Sequence, residues 1–193
     1  TIGPSVGQEL RSKAKISIII VSIAIILFIA FAFRKVTPGA GKSGLSSWHY
    51  GLIAIVVLIH DVVIPAGFFA FMGLQVDTLF VVGLLTILGV SINDTIVVFD
   101  RIRENLHTNE IKKHKEDFAH TVGKSLNQTF VRSIMTSATV LIALAALYLY
   151  GPEATHNLAI TMFLGMFFGT YSSIFIASPL LVVWDEFRSK RAS

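Results

Sequence analysis

Lysine and arginine occupy only four short parts of this chain, and the stretches between them are long and apolar. The four basic clusters are residues 11–15, 34–42, 101–132 and 188–191. The intervals without Lys or Arg, 16–33, 43–100 and 133–187, contain 18, 58 and 55 residues. One bilayer crossing needs about 20 apolar residues. The first interval therefore fits one transmembrane helix, and each of the other two fits a pair joined by a short turn.

The predicted fold is an all-α, polytopic membrane helix bundle with five transmembrane helices. The spans are predicted at about 16–33, 50–72, 78–100, 133–150 and 156–183. Apolar residues make up 53% of the chain and charged residues 15%, against about 25% charged residues in a typical soluble domain. This composition excludes a soluble enzyme, a disordered chain and a fibrous protein. The absence of cysteine excludes disulfides and cysteine metal ligands.

The distribution of positive charge predicts the orientation of the bundle. The last three basic clusters are separated by two spans each and hold 13 basic residues, whereas the turns at 73–77 and 151–155 hold none. The side with the positive charge is predicted to be cytoplasmic, including the tail 184–193. The N-terminal cluster then lies outside, as expected if a large translocated domain precedes it. Residues 1–15 are therefore predicted to be the end of a missing periplasmic domain and its linker.

The long basic segment 101–132 contains a helical pattern. Phe118, Val122, Leu126 and Phe130 recur every four residues among polar and charged side chains. This spacing predicts a cytoplasmic amphipathic helix on the membrane surface that leads into the fourth span. The same pattern equally suits a helix that packs on its own bundle.

Two carboxyl side chains, Asp61 and Asp94, fall within predicted spans. A charged residue at bilayer depth costs several kcal/mol, so each is a hypothesis for a functional site. Asp94 carries the stronger signal, because small and polar residues such as Gly83 and Ser91 share its helical face. A desolvated carboxyl there could take a proton from one side and release it to the other. The alternative is a structural aspartate held by Ser91 or by a neighbouring helix.

Arg132 lies at the start of the fourth span, in an unusually polar helix end. Taken alone, Arg132 would extend to the cytoplasmic headgroups. Thr136 follows one turn later, among the hydroxyls of Ser133, Ser137 and Thr139, and this combination suits a buried carboxylate. If Arg132 lies beside Asp94, protonation of the carboxylate would leave the guanidinium unpaired and could drive helix movement.

A possible secondary polar site contains His60 and Asp61, together with Ser91 and Asn93. Pro65 follows four residues after Asp61 and removes one backbone hydrogen bond near it. For His60 and Asp61 a structural or topological role is favoured over direct proton transfer.

The fifth span carries four small residues at four-residue spacing, which are Gly165, Gly169, Ser173 and Ala177. Such a stripe predicts close packing against another helix. No paired nucleophile and base, phosphate-binding loop or set of metal ligands occurs in the sequence. The chain is therefore predicted not to be an enzyme, and to bind no metal and no nucleic acid.

The run from Ser91 to Asn105, SINDTIVVFDRIREN, resembles the SecD/SecF family of bacterial protein-export membrane subunits, in its SecF branch. Further stretches that fit this family, in order along the chain, are 3–10, 60–61, 126–129 with Arg132, 136–137 and 169–181. The resemblance implies the fold of the resistance–nodulation–division (RND) superfamily. Such proteins have six spans, with a periplasmic domain between the first two, and this chain resembles the last five.

The resemblance also implies a function in the bacterial cytoplasmic membrane. Relatives of this kind work with SecD, separate or fused, beside the SecYEG channel, and use the proton gradient to promote translocation of a secreted protein. Asp94, Arg132 and Thr136 resemble the proton-pathway positions, so protons would be the coupling ion, with no other cofactor. A second essential carboxylate would lie in SecD. Two alternatives stay open: an RND-type proton-coupled transporter of small molecules or lipids, and a scaffold subunit that conducts no protons.

Overall fold

The computed structural model describes residues 47–113 and 116–192, together with the single positions Ile16, Ile20 and Ile23. The segment 1–15 and, apart from those three positions, the predicted first span lie outside the described residues.

The described part of the chain forms five helices and two short helical turns. The α-helices are α1 (Ser47–Met72), α2 (Thr78–Ile111), α3 (Phe118–Tyr150), α4 (His156–Ser172) and α5 (Ser178–Ala192). A 3₁₀ turn, Glu153–Thr155, precedes α4, and a π-helical turn, Ser173–Ala177, joins α4 to α5. The all-α fold class is thus confirmed for these residues. Within residues 47–113 and 116–192, four helices are long and apolar enough to cross a membrane, with Glu153–Lys190 counted as one continuous helix.

The two predicted turns lie side by side at one end of the bundle. Gly73 takes a left-handed conformation with φ of 63° and ends α1. Asp77 caps α2, because its Oδ1 accepts a hydrogen bond of 2.7 Å from the backbone N–H of Phe80. The side-chain amide of Asn157, in the first turn of α4, donates to Asp77 Oδ2 at 3.1 Å. The start of α2 and the start of α4 are therefore tied together.

The segment 101–132 is not a separate helix. Residues 101–111 continue α2, and residues 118–132 form the first half of α3. No proline interrupts either stretch, and the chain reverses between them, near Lys113 with φ of 53°. Phe118 and Val122 are buried in the main hydrophobic core. The predicted apolar stripe thus begins by packing on its own bundle, which is the second of the two alternatives, although Phe130 remains exposed.

Helix α4 is central to the bundle, since it packs against α1, α2 and α3. A Cβ atom on Gly165 would lie 2.2 Å from side-chain atoms of Ile87 in α2. The next contact, four residues further along both helices, joins Gly169 to Ser91. The small residues of α4 therefore allow its backbone to approach α2 closely and in parallel, which positions the polar side chains described next.

Candidate functional site

Asp94 lies in α2 at the place where α2, α3 and α4 meet. Its side chain is buried, with 9% of the residue exposed. The hydroxyl of Thr170, in α4, donates to Asp94 Oδ2 at 3.4 Å. That hydroxyl also lies within hydrogen-bonding distance of the Ser137 hydroxyl in α3. One polar chain therefore links the carboxyl to both neighbouring helices.

The hydroxyls around Asp94 have alternative partners. Thr170 Oγ1 is 3.0 Å from the carbonyl oxygen of Met166, and Ser137 Oγ is 2.8 Å from that of Ser133. Each hydroxyl has a single proton to donate. Thr170 can therefore donate to Asp94 or to the backbone, but not to both, and the pattern of donors can change with the charge of the carboxyl.

Asp61 occupies a second polar cluster, between α1, α2 and α4. The residue is fully buried. Its Oδ2 accepts a hydrogen bond from Ser91 in α2 and another, of 2.9 Å, from Ser172 in α4. Its Oδ1 lies 2.9 Å from His60 Nδ1. Within the described residues no buried side-chain polar atom lacks a partner, so this carboxyl is completely satisfied.

A small cavity lies between α2, α3 and α4. Ser91, Asp94, Gly169 and Thr170 line it, together with apolar side chains. The volume of the cavity is about 20 Å³, and one water needs about 10–15 Å³. The cavity is therefore about the size of one water molecule, and the atoms that face it are apolar.

Arg132 and Thr136 lie on the exposed side of α3. The positive charge of Arg132 attracts the Asp94 carboxylate, but among the described residues no hydrogen bond or ion pair joins the two side chains. The Thr136 hydroxyl donates to the backbone oxygen of Arg132 at 2.8 Å. The structure therefore places Arg132 within electrostatic reach of Asp94 and not in contact with it.

The predicted secondary site divides in two. His60, Asp61 and Ser91 come together, whereas Asn93 is exposed and joins none of them. The physical reason is helical periodicity. Asn93 follows Ser91 by two residues, and side chains two residues apart on a helix point to different faces.

Sequence reasoning missed Thr170, Ser172 and the π-helical turn. A search of the apolar span for polar side chains would have found both hydroxyls. They gave no other signal, because Ser and Thr are tolerated in a helix, where their hydroxyls can bond to the helix backbone. Pro179 gave a signal for the turn, since a proline removes one hydrogen bond of the preceding helical turn. The Ser173 hydroxyl in this turn lies 2.9 Å from that of Thr95 in α2, which places the irregular turn against the same helix as both carboxyl clusters. Short π-helical turns are frequent at functional sites.

Metal binding finds no support within the described ranges. No three His, Asp or Glu side chains there lie close enough together to hold an ion.

Together these features define a multi-pass helical membrane protein that keeps two carboxyl groups buried between its spans. Residues 1–187 match the family model described as protein export membrane protein SecD/SecF, C-terminal. The chain therefore belongs to the SecD/SecF family.

Two curated relatives show how much of a longer protein the chain matches. It is 43% identical over 190 residues to protein translocase subunit SecF of Thermobaculum terrenum, covering 96% of this chain and 56% of the relative. It is 39% identical over 188 residues to protein translocase subunit SecDF of Thermus thermophilus, covering 97% of this chain and 23% of the relative. The chain thus spans about half the length of the curated SecF relative.

Solved structures show the same fold. The crystal structure of SecDF from Thermus thermophilus, described as a translocon-associated membrane protein, matches with a TM-score of 0.81 and 38% identity. That match covers 96% of this chain and 24% of the SecDF chain. The super-membrane-facing form of SecDF also gives a TM-score of 0.81, at 37% identity, over 100% of this chain and 23% of the other.

Proposed function

We propose that this chain is the membrane part of a protein-export subunit that works with SecD. It uses the proton gradient to promote translocation of secreted proteins through the SecYEG channel. Family membership supports the export function. The observation that supports proton coupling is that Asp94 is buried between three helices and accepts a hydrogen bond from a chain of hydroxyl groups. Protons are the coupling ion, and no other cofactor is required.

Protonation of Asp94 changes the forces between α2, α3 and α4. A neutral carboxyl accepts a weaker hydrogen bond from Thr170, whose hydroxyl then turns to the carbonyl of Met166. At the same time the attraction between Asp94 and Arg132 is lost. The first change loosens α2 from α4 and the second loosens α3 from α2, so the charge of one buried group controls two helix contacts.

The exposed side of α3 faces lipid and the partner subunit. In the apolar 18-residue stretch that could cross the membrane, only 17% of α3 is buried inside the protein, against 50% of α2. Arg132 and Thr136 lie on that exposed side, and polar groups at membrane depth require a polar partner or an interfacial position. The fused SecD and SecF portions of the SecDF relative support SecD as that partner.

The protein has five spans in the bacterial cytoplasmic membrane, with the basic loops and the C-terminus on the cytoplasmic side. The hydrogen bond between Asn157 and Asp77 supports this topology, because it holds both turns, which lack Lys and Arg, at one end of the bundle. The excess of Lys and Arg at the other end favours the cytoplasmic side.

Two other functions fit the fold less well. A transporter of small molecules or lipids requires a substrate cavity, whereas the cavity beside Asp94 has room for about one water. The relatives named as translocase subunits also favour export. A scaffold that conducts no protons does not explain why a carboxyl is buried at a contact of three helices, where it costs several kcal/mol.

The test uses the full-length protein with SecD in membrane vesicles that export a secreted substrate. We expect Asp94→Asn to remove the increase in export that the proton gradient produces. The matched control is Asp100→Asn, which makes the same chemical change at an exposed position six residues further along the same helix. This control should keep the response to the gradient. An equal response in wild type and Asp94→Asn, at equal levels of the complex, would favour the scaffold.

A further inference from the structure

The proposed coupling at Asp94 leaves the burial of a second carboxyl, Asp61, unexplained. Asp61 is fully buried in α1, and Ser91 and Ser172 donate hydrogen bonds to the same oxygen of its carboxyl. Burying such a group costs more than packing an apolar side chain of the same size. A contact between helices alone therefore does not require a carboxyl here.

Helices α2 and α4 run parallel and touch at successive turns. The contacts lie four residues apart on both helices, and they join Gly83 to Thr161, Ile87 to Gly165, Ser91 to Gly169 and Thr95 to Ser173. Asp94 and Thr170 lie between the last two of these contacts. The spacing of α2 and α4 at those two contacts therefore sets how closely Thr170 approaches Asp94.

The hydrogen bond between Thr170 and Asp94 is sensitive to this spacing. Thr170 Oγ1 is 3.4 Å from Asp94 Oδ2, whereas hydrogen bonds from hydroxyl groups usually measure about 2.5–3.0 Å. At about 3.6 Å the bond no longer exists, so a small separation of α2 from α4 would remove it. The Thr170 hydroxyl would then donate to the carbonyl of Met166, 3.0 Å away.

Asp61 ties α2 to α4 beside this bond. Ser91 precedes Asp94 by three residues on α2, and Ser172 follows Thr170 by two residues on α4. Both serines donate to Asp61 Oδ2, and the second bond measures 2.9 Å. A carboxyl oxygen has two lone pairs, so both bonds form at once. One oxygen atom of α1 thus holds the two helices that carry the Asp94 site.

We propose that Asp61 is a positioning residue for Asp94. Asp61 holds α2 and α4 at the spacing that lets Thr170 donate to the Asp94 carboxyl, and it acts through Ser91 and Ser172. The inference rests on the proposed proton coupling at Asp94. It requires the acceptor oxygen of Asp61, whereas the charge of Asp61 only strengthens the two bonds.

The first experiment separates positioning from proton transfer by Asp61 itself. Asn keeps an acceptor oxygen but does not titrate, whereas Leu has a similar size and no acceptor. Export is measured with the full-length protein and SecD in membrane vesicles, at equal levels of the complex, with and without the proton gradient.

Asp61→Leu should reduce the gradient-dependent increase in export by about tenfold or more, because a displacement of about 1 Å can remove most of the effect of a positioned group. Asp61→Asn should keep about half of the increase or more, because hydrogen bonds to a neutral acceptor are about half as strong as those to a charged one. Export without the gradient should change in neither variant.

The second experiment compares two serines near the π-helical turn. Ser172 and Ser178 are both fully buried, and Ser178 donates to the backbone oxygen of Ser173 at 3.4 Å. Ser172→Ala removes one of the two bonds to Asp61 and should reduce the gradient-dependent increase by about threefold or more. Ser178→Ala is the matched control and should respond to the gradient as wild type does.

Infrared difference spectroscopy reports the hydrogen bond at Asp94 directly. Asp94→Asn identifies the carboxylate band of this residue, and Thr170→Val gives its frequency without the hydrogen bond. Asp61→Leu and Ser172→Ala should move the band towards the Thr170→Val frequency, whereas Ser178→Ala should leave it in place. Thermal unfolding checks that each complex is folded, and a loss of stability alone would not move the band.

Three results would overturn the positioning role of Asp61. They are an equal loss of the gradient response in Asp61→Asn and Asp61→Leu, equal responses in Ser172→Ala and Ser178→Ala, and an Asp94 band that stays in place in Asp61→Leu. The first would show that Asp61 acts through its own charge. If Asp61→Leu does not fold, Asp61→Asn and the two serine variants decide.

The proposed function is tested separately by export in Asp94→Asn. If that variant loses its response to the gradient while Ser172→Ala and Ser178→Ala behave alike, only the positioning role fails. If Asp94→Asn exports as wild type does, the proposed function itself fails.

Discussion

Helix α2 uses polar side chains in two different ways along its length. In its first two-thirds, Ser91, Asp94 and Thr95 are buried against α4 and the π-helical turn. In its last third, Arg101 and Asn105 form an exposed network with Gln128 of α3. Water can replace the partners of an exposed group, and it cannot reach those of a buried one. The same types of hydrogen bond are therefore expected to differ in energy and in sensitivity to protonation.

The exposed network shows what polar contacts do when water is present. Arg101 Nε donates to Gln128 Oε1 at 2.8 Å, and Asn105 Nδ2 donates to the same oxygen at 2.9 Å. Arg101 also pairs with Glu104, whose side chain is 61% exposed. Pairs of this kind contribute about 0–1 kcal/mol. The network fixes how α2 and α3 lie side by side, but changing its charge should move the helices little.

The largest expected effect concerns the close contact between α2 and α4. Gly165→Leu places a side chain where Ile87 lies, 2.2 Å from the position of the new Cβ. We expect this change to destabilise the bundle by about 3 kcal/mol or more, because the helices must separate. Thermal unfolding in detergent measures the effect. Gly89→Leu in α2, where no atom lies within 4 Å of an added Cβ, is the matched control and should unfold near the wild-type temperature.

The buried carboxyl cluster should show the next largest effect. Asp61→Ala removes the acceptor of hydrogen bonds from Ser91 and Ser172. Leaving a buried donor unsatisfied costs about 1–3 kcal/mol, so we expect a loss of about 2 kcal/mol in the free energy of unfolding. Denaturant titration of the reconstituted protein measures it. A loss no greater than that of an exposed aspartate such as Asp100→Ala would contradict the distinction between the two parts of α2.

The exposed network should show the smallest effect. Gln128→Ala removes the shared acceptor of Arg101 and Asn105. We expect a change below about 1 kcal/mol, because water replaces the lost partner. The same titration measures it, at low and at high salt. High salt should weaken the wild-type network through screening and leave the contribution of Asp61 unchanged; a salt-dependent loss in Asp61→Ala would show that water reaches this cluster.

The pattern of the sequence was sufficient to locate the helices and to single out the buried carboxyl of Asp94. Intervals without Lys or Arg located α1 to α4, because a span must exclude charge from the bilayer. Asp94 was recognisable for the same reason, as an exception within such an interval. The stripe containing Gly165 and Gly169 indicated close approach of two helices, although the helix that meets it could not be inferred from spacing alone.

The sequence did not reveal the partners of the carboxyl groups. Ser91 was predicted to share a face with Asp94 and also to belong to one polar site with Asp61, and only the structure shows that its hydroxyl bonds to Asp61, thirty residues away in the chain. Thr170 and Ser172 went unnoticed, since hydroxyls on a helix can bond to their own backbone and need no distant partner. The amphipathic pattern of 118–130 was compatible with membrane or protein, and only the burial of Phe118 and Val122 decided between them.

The sequence by itself determined that this protein is a helical membrane bundle with carboxyl groups at bilayer depth, because the cost of placing charge in lipid acts on each residue separately. Only the tertiary structure decided that Asp61 and Asp94 lie on opposite sides of one α2–α4 contact, with Ser91 between them. Such an arrangement depends on how three helices approach and rotate against each other. The positions of the helices relative to each other are set by packing between residues far apart in the chain, and a local sequence pattern does not predict that packing.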